Sequence, residues 1–185
     1  MTNWMDIVLS RRSIRKYKPD APVSDDAVER MLRAAMAAPS ACNQQPWRFV
    51  VVRDRALLDA LADAHPYARM LRQAALAVCV CGDLAAETCF GGYWPQDCAA
   101  ATENLLLAAH AQGLGAVWIG VHPYPAREAD VRRILSIPEG FVPFCLVSVG
   151  VPAERKPPSD RFDPAKVRID RWAPSGSEGA SGDTP

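Results

Sequence analysis

Two stretches of this chain carry side chains whose types and spacing suit ligand chemistry, and the first of them is basic. The run from Arg11 to Lys18 places five cationic side chains and the hydroxyl of Ser13 within eight residues, and the next acidic residue is Asp20. Guanidinium groups and hydroxyl donors are the groups that hold a phosphate. Because like charges repel when they crowd, an anionic partner would relieve the strain here. A solvated surface turn is the alternative interpretation.

The second stretch is polar and conformationally restricted. It contains a serine, three amide side chains and two prolines, in the order Pro39, Ser40, Ala41, Cys42, Asn43, Gln44, Gln45, Pro46. Positioned amides beside apolar surface suit a flat heteroaromatic ring with amide edges. One ligand combines such a ring with a phosphate, namely flavin mononucleotide (FMN). A polar loop between a helix and a strand is the alternative.

Length and composition indicate one globular domain, which we place at residues 1–172. The tail at residues 173–185 is rich in Ser, Gly and Pro and is expected to be disordered. The net charge is zero, which argues against nucleic acid as the partner because binding to its phosphates needs a basic excess. No window is apolar enough for a membrane span, and the N-terminus lacks signal-peptide features, so we expect a cytoplasmic protein.

Several motifs are informative because the sequence lacks them. The six cysteines form no C-x-x-C pair and no zinc-type spacing, so we expect no metal site and interpret them as structural thiols. There is no Gly-rich dinucleotide fingerprint after a strand, no P-loop and no G-x-S-x-G motif. The sequence therefore argues against a separate dinucleotide domain and against serine hydrolase chemistry.

Helices and strands alternate along the chain and must position the two stretches. Apolar spacing and capping residues predict helices at residues 4–9, 24–38, 54–64, 96–112 and 127–135, with a helical turn at 68–73. Short apolar runs predict strands at residues 47–52, 75–81, 116–121 and 142–149. Asp97 is expected to cap the fourth helix, whose apolar circumference suits a subunit interface. Alternation of Val167, Ile169 and Trp172 predicts a late strand that wraps over the body or joins a partner's sheet. This order indicates an α+β or α/β layered domain with a central sheet.

The two stretches, together with later ones, resemble the FMN-dependent nitroreductase family in its short-chain branch. The first signature is Arg11-Arg12-Ser13-x-Arg15, and the second is Pro39-Ser40-x-x-Asn43-x-Gln45-Pro46-Trp47. The later matches are Gly113–Gly120, Pro138–Gly140 and Val149–Pro152, and the resemblance covers residues 4–172. It implies an α+β fold, built as a three-layer α/β/α sandwich with a central mixed sheet. It also implies a homodimer with FMN at the subunit interface and a C-terminal segment that reaches the partner.

The resemblance further implies roles for individual residues. Those assigned to the phosphate, the ribityl chain and the pyrimidine edge are Arg11, Arg12, Ser13 and Arg15, with Arg161 as a last phosphate-binding cation. Those that would reach the ring from the other subunit are Pro39, Ser40 and Asn43, with Gln45 as a further candidate. Those that would run along the flavin face turned away from substrate are Trp118, Ile119 and Gly120. The candidates for contact with substrate are Arg69, Tyr93, Trp94 and Tyr124; packing at loop ends is the alternative for the aromatic ones.

The reaction implied by the resemblance needs no catalytic side chain, because the flavin itself carries the hydride. NADH or NADPH would reduce FMN and leave, and a small-molecule acceptor such as a nitroaromatic or a quinone would then use the same pocket. Many relatives carry a glutamate-glycine pair near Ile119-Gly120, and its absence here leaves the substrate open. The alternatives are a specialised flavoenzyme of the same fold (a dehydrogenase, a dehalogenase or a flavin-degrading enzyme) and a non-enzymatic flavin-binding dimer.

Overall fold

A computed structural model describes residues 3–89 and 91–172, so the predicted tail at residues 173–185 lies outside the described residues. These ranges contain the helices α1 (Trp4–Ser10), α2 (Asp25–Met36), α3 (Arg55–Ala64), α4 (Trp94–Ala111) and α5 (Pro125–Leu135). They contain the strands β1 (Trp47–Val52), β2 (Leu76–Asp83), β3 (Gly115–Gly120) and β4 (Phe141–Gly150). All bounds lie within two residues of those predicted from the sequence. None of these helices has the length and apolar character needed to cross a lipid bilayer.

Helices α2, α3 and α4 begin where a hydroxyl or a carboxylate accepts from free backbone N–H groups. Ser24 caps α2 by accepting from the N–H of Ala27 at 3.2 Å, as predicted. At the start of α4 the carboxylate of Glu87 accepts from three backbone N–H groups. The prediction that Asp97 caps α4 is therefore wrong, because the helix begins at Trp94 and Asp97 lies inside its first turn.

The four strands form one sheet in the order β1-β2-β4-β3, and every neighbouring pair is antiparallel. The expected mixed sheet is therefore wrong for the described strands, although a single parallel bridge joins Ser13 to Ala116 at the edge of β3. The reason is the position of β4. Helix α4 connects β2 with β3, which run in the same direction, but β4 lies between them and runs opposite to both.

Helices cover both faces of the sheet, which confirms the three layers. In β2, Leu76, Val78 and Val80 point to the face covered by α2 and α4, and the residues between them point to the face covered by α3 and α5. Side chains of a strand alternate between faces, so a fully apolar run is buried on both. Met31 of α2 and Leu58 of α3 are among the completely buried side chains. Each such burial stabilises the fold by about 1.5–3 kcal/mol.

The segment after α1 docks against the outer edge of β3. Its backbone pairs there because the N–H of Ile14 donates to the carbonyl of Ala116 at 3.0 Å. Tyr17 is buried, and its hydroxyl donates to the carbonyl of Ile14 at 2.8 Å. Two glycines permit this close approach. A Cβ on Gly115 would lie 2.7 Å from Ile14, and one on Gly150 would lie 2.9 Å from the ring of Tyr17.

The chain from Phe162 to Trp172 forms no strand, so the late strand predicted from the sequence is wrong for this structure. It contains one 3₁₀ turn, at Pro164–Lys166. Ile169 and Trp172 are 79% and 82% exposed. An extended segment needs a neighbouring strand for its backbone hydrogen bonds, and this segment pairs with no strand of the described chain.

Candidate cofactor site

The basic run near the N-terminus is held in place by the chain that follows β4. The guanidinium of Arg12 donates to the carbonyl oxygens of Leu9, Arg11, Pro157 and Ser159, at distances between 2.5 and 3.4 Å. These four contacts tie the N-terminal segment to the segment around Pro157. Arg12 thus has a positioning role in this structure, and its contact with a phosphate stays a prediction.

Two residues that sequence reasoning missed, Glu154 and Lys156, complete this connection. The ammonium of Lys156 donates to the carbonyl of Ser13 at 2.6 Å and lies 3.3 Å from the carboxylate of Glu154. Glu154 accepts from the N–H of Arg15 at 2.7 Å, and this hydrogen bond lowers the pKa of the carboxyl group. The sequence does contain a second short basic run, Arg155-Lys156, that could have pointed to these residues. Nothing in its spacing, however, indicates that it lies beside the basic run near the N-terminus.

Hydrogen bonds, through the backbone at Arg11, Ser13 and Arg15, link six residues into what we call the cationic cluster: Arg11, Arg12, Ser13, Arg15, Lys156 and Arg161. Arg161 joins through Ser159, whose hydroxyl accepts from its Nε at 3.1 Å. Within residues 3–89 and 91–172, the acidic partners of the cluster are Glu103, 3.4 Å from Arg11, and Glu154. Five positive charges against two negative ones leave an excess of three, which suits a doubly charged phosphate.

Residues 39–45, which we call the ring loop, have an unusual backbone. Cys42, Asn43 and Gln45 have φ angles of 50°, 55° and 50°, a left-handed region that residues with a side chain seldom occupy. Short polar contacts hold this conformation: Ser40 accepts from the N–H of Gln45 at 3.0 Å, and Asn43 accepts from the Gln45 amide at 3.0 Å. Backbone strain of this kind collects at ligand-binding sites.

Asp97, inside α4, anchors the ring loop to the core. Its Oδ1 accepts from the N–H of Ala41 at 3.0 Å, and the side chain is 6% exposed. Its Oδ2 is buried and has no hydrogen-bond partner among the described residues. Asp97 was predicted to cap α4 and not to hold the ring loop. Its partner Ala41 lies more than fifty positions away, so local spacing gives no sign of the contact.

At the end of β3 the side chains are packed inside the protein, so the backbone is the part that a ligand could contact. Ile119 is buried, and Trp118 packs its ring 5.5 Å from that of Phe144. Gly120 is exposed, and its carbonyl accepts from Nε2 of His65 at 2.8 Å. Burial lowers the pKa of His65, so the imidazole is kept neutral as a donor to that carbonyl.

The four candidates for substrate contact divide into two groups. Arg69 lines a cavity together with His65, and Tyr124 stacks 4.0 Å beneath the guanidinium of Arg127, which sequence reasoning missed. Arg69 and Tyr124 therefore lie near the end of β3, where the carbonyl of Gly120 accepts from His65 and from Arg127. Tyr93 is exposed at the start of α4. Trp94 is a core residue, because its indole packs directly on Gly82 and leaves 7% of the side chain exposed. Trp94 thus packs in the core of this chain, and its contact with substrate stays a prediction.

The cationic cluster and the ring loop lie at opposite corners of the sheet. The cluster docks at the start of β3, which pairs with Gly150 at the end of β4, whereas the ring loop leads into Trp47 at the start of β1. Trp47 pairs with Gly82 of β2, and Gly82 pairs with Val142 at the start of β4. The ring loop is therefore at the end of the sheet where β4 begins. Three strand spacings and eight residues of strand give about 14 Å by about 26 Å, or roughly 30 Å diagonally. This is the separation of the strand ends, and both stretches extend from them onto α4, where the ring loop contacts Asp97 and Arg11 contacts Glu103.

Comparison with known proteins establishes the family. The model of the nitroreductase family matches residues 8–69 and 65–151. The chain belongs to the nitroreductase family. A candidate NADH dehydrogenase/NAD(P)H nitroreductase of Methanothermobacter thermautotrophicus is 44% identical over 168 residues, which cover 91% of this chain and 87% of that protein. The solved structure of a protein with the same designation from Parabacteroides distasonis has a TM-score of 0.88 at 40% identity, covering 93% of this chain and 100% of the other.

A further solved structure bears on the cofactor of nitroreductase-family proteins. A candidate nitroreductase of Desulfovibrio desulfuricans, in complex with FMN, matches with a TM-score of 0.78 at 33% identity, covering 94% of this chain and 99% of that one. The residues of the present chain fit the same group, since the cationic cluster has the excess charge for a phosphate. Past Ala116 the outer edge of β3 pairs with no described strand and can face a ring. No three metal-ligating side chains cluster in the described ranges.

Proposed function

We propose that this protein is an FMN-dependent oxidoreductase that uses NADH or NADPH to reduce nitroaromatics, quinones or related acceptors by a ping-pong mechanism. The observation that carries the proposal is the cationic cluster, with its excess of three positive charges beside the open edge of β3. Membership of the nitroreductase family supports FMN as the anion that this cluster binds.

The chain's own residues bind the cofactor, orient it and cover one of its faces. Arg11 and Ser13 hold the phosphate end, and Arg161 adds a further cation. Arg15 would lie at the pyrimidine edge, where its positive charge would stabilise a negatively charged ring. The backbone from Trp118 to Gly120 would lie along the flavin face turned away from substrate. FMN supplies the hydride chemistry when bound, so the site needs no acid-base pair of side chains.

We place each FMN between two copies of the chain, so that the protein is a homodimer with two sites. The support is geometric, because one chain presents the two halves of the site at opposite corners of the sheet. In the dimer the ring loop of one copy, with Pro39, Ser40, Asn43 and Gln45, faces the cationic cluster of the other. An apolar groove between α1, α2 and α4, lined by Trp4, Val8, Leu107 and Ala108 among others, offers surface for the second copy.

The C-terminal segment reaches the partner in this arrangement. Phe162, Ile169 and Trp172 expose between 77% and 82% of their surfaces on a single chain. Burying such side chains against a second copy stabilises the dimer by about 1.5–3 kcal/mol for each one covered. We place the protein in the cytoplasm because all six of its cysteines are free thiols, as is usual in a reducing compartment.

The test begins with the purified protein, which we expect to be yellow and to contain two FMN per dimer. Sedimentation over a range of concentrations measures the dimer, and anaerobic stopped-flow with NADH or NADPH measures flavin reduction. Colourless protein that takes up no added FMN, or a monomer at every concentration, contradicts the proposal.

Steady-state turnover with menadione and with a nitrofuran separates this function from the alternatives. A specialised flavoenzyme of the same fold would bind FMN but turn over poorly with both acceptors. A non-enzymatic flavin-binding dimer would keep its flavin oxidised when NADH or NADPH is added without oxygen. Rapid bleaching followed by reoxidation with either acceptor supports the reductase.

A further inference from the structure

The end of β3 that lies away from the cationic cluster carries a second basic region, to which the proposed function assigns no ligand. Arg69 lines an open cavity of about 560 Å³ together with His65, and Arg127 donates to the Gly120 carbonyl that also accepts from His65. About 13 Å of strand separates Gly120 from Ala116, where the cluster bridges to β3. The basic region therefore lies at the far end of the open edge that we offer to the flavin ring.

Arg69 and Arg127 differ from the neighbouring arginines in their ion pairs. Arg72 and Arg133, on the same two segments, each pair with an aspartate. In the part of the chain that the structure describes, no carboxylate lies within ion-pair distance of Arg69 or Arg127. A guanidinium has five N–H donors, and Arg127 places one of them 3.4 Å from the carbonyl of Gly120. Both side chains therefore keep donors for an anion.

Two tyrosines orient Arg127 without neutralising its charge. Its guanidinium carbon lies 4.0 Å from the ring centre of Tyr124 and 5.8 Å from that of Tyr67. Cation–π contacts of this kind hold a guanidinium by its flat face and leave its edge free to donate. Tyr124 is 55% exposed and Tyr67 is 71% exposed, and an exposed aromatic ring can stack on a nucleobase. The region thus combines cationic groups with a surface for stacking.

His65 orders this region but adds no charge to it. Its Nε2 donates to Gly120, and its Nδ1 accepts from the N–H of Tyr67 at 3.2 Å. Burial lowers the pKa of His65, and the positive charge of Arg127 lowers it further, so the imidazole is neutral. The charged groups of the region are then three guanidinium groups and one carboxylate, that of Asp63, which leaves an excess of two positive charges.

We propose that this region, which we call the nucleotide subsite (Tyr67, Arg69, Tyr124 and Arg127), binds the adenosine 2′-phosphate end of NADPH and selects NADPH over NADH. A phosphate monoester carries about two negative charges, which matches the excess charge, and guanidinium forks fit its oxygens. The exposed tyrosine rings take the adenine. NADH has a hydroxyl in place of that phosphate, so it gains only the stacking. The inference rests on the proposed function, because it states which co-substrate the same site prefers.

The nucleotide subsite stays accessible in the dimer that we propose. Tyr67 and Arg69 follow α3, and Tyr124 and Arg127 lie at the start of α5, and these two helices cover one face of the sheet. The groove assigned to the second copy lies between α1, α2 and α4, and α2 and α4 cover the opposite face. The subsite and the groove therefore do not compete for surface.

The direct test is calorimetric titration of the full-length, FMN-loaded protein with adenosine 2′,5′-bisphosphate and with adenosine 5′-monophosphate. FMN occupies the cationic cluster, so the titration reports on phosphate binding elsewhere. We expect the bisphosphate to bind at least about tenfold more tightly, because one charge-assisted contact with a phosphate is worth that factor. Arg127→Ala should remove most of this difference, whereas Arg133→Ala, which breaks an exposed ion pair on α5, should keep it. Equal affinity for the two probes in the wild type, or an unchanged difference in Arg127→Ala, overturns the proposal.

Anaerobic stopped-flow makes the same comparison with the intact co-substrates. The measured quantity is the ratio of the second-order rate constants for flavin reduction by NADPH and by NADH. A variant that merely destabilises the fold or loses FMN slows both reactions, so the ratio isolates the phosphate contact. We expect a ratio of at least about ten in the wild type, a fall of about tenfold in Arg127→Ala and a smaller fall in Arg127→Lys, which keeps the charge. Arg69→Ala is a second variant that should also lower the ratio, and a ratio near one in the wild type contradicts the preference.

Failure of the inference and failure of the proposed function give different results. Equal reduction by NADH and NADPH removes the preference and leaves the oxidoreductase standing. A protein that takes up no FMN contradicts the proposed function. In that case the difference between the wild type and Arg127→Ala in the titration still decides whether the subsite binds the 2′-phosphate.

Discussion

The cationic cluster and the ring loop hold their shapes by different means. The cluster is built into the sheet, since Ser13 bridges Ala116 and Arg12 alone contacts four carbonyl oxygens. The ring loop has left-handed φ angles at three of its residues, and its link to α4 is one hydrogen bond to Asp97. The cationic cluster, which we propose as the phosphate site, is thus preformed within one chain. The ring loop, which we propose as part of the site for the flat ring, is exposed and has a strained backbone. A second copy and a ligand can stabilise this conformation.

The largest expected effect is on the cluster. The double change Arg11→Ala with Ser13→Ala removes two groups that we propose contact the phosphate, each worth about 1.5–3 kcal/mol when the partner is charged. FMN affinity should fall by roughly two to four orders of magnitude, which a fluorescence titration of the apoprotein measures. Stability should change little, because the ion pair of Arg11 with Glu103 is partly exposed. Arg30→Ala, which breaks an exposed ion pair on α2, is the control; equal FMN affinity in both variants would remove the role of the cluster.

A smaller effect tests whether the cluster depends on its docking to the sheet. In Gly115→Ala the added Cβ meets Ile14 at 2.7 Å and must displace the segment that carries Ser13. We expect a loss of about 1–3 kcal/mol of unfolding free energy, together with weaker FMN binding. Denaturant titration and flavin content measure the two effects. Gly91→Ala, where an added Cβ meets nothing within 4 Å, should leave both unchanged. Normal FMN binding in Gly115→Ala would show that the cluster forms without this contact.

The ring loop is tested through its anchor. Asp97→Ala leaves the N–H of Ala41 without its acceptor, which costs about 1–2 kcal/mol. Since the anchor positions the loop, we expect a raised KM for the electron acceptor and a smaller change in the rate of flavin reduction by NADH. Asp97→Asn keeps an acceptor oxygen and should restore KM. If both variants are less stable but have an unchanged KM, Asp97 supports the fold and does not position the loop.

The smallest effect is a pH dependence shared by two histidines that adjoin the site. Burial lowers the pKa of His65, which donates to Gly120, and of His110, which contacts the Ser10 hydroxyl at 2.7 Å. As the pH falls through about 6.5, the unfolded chain takes up protons that the folded chain resists, so the free energy of unfolding decreases. Urea titrations between about pH 8 and pH 5 measure this. His65→Gln should flatten the slope, and an unchanged slope would assign the effect to other groups.

Much of the fold was predictable because it depends on local patterns. The bounds of β1 are those predicted, since Trp47–Val52 is a short β-branched run followed by a capping Asp54. Ser24 was recognisable as a cap because its partner lies three residues away. The basic run and the ring loop were visible as motifs for the same reason, since each is contiguous in the sequence.

Contacts between distant residues were decided by the tertiary structure. Lys156 meets Ser13 across more than a hundred positions, and Asp97 meets Ala41 across more than fifty. The same holds for strand order: the alternation of helices and strands is local, but the position of β4 between β2 and β3 depends on which apolar faces pack together. The sequence by itself therefore determined the helices and strands and indicated two candidate ligand-binding stretches. Only packing in three dimensions decided their neighbours, because no local spacing encodes a contact between segments that meet only when the core forms.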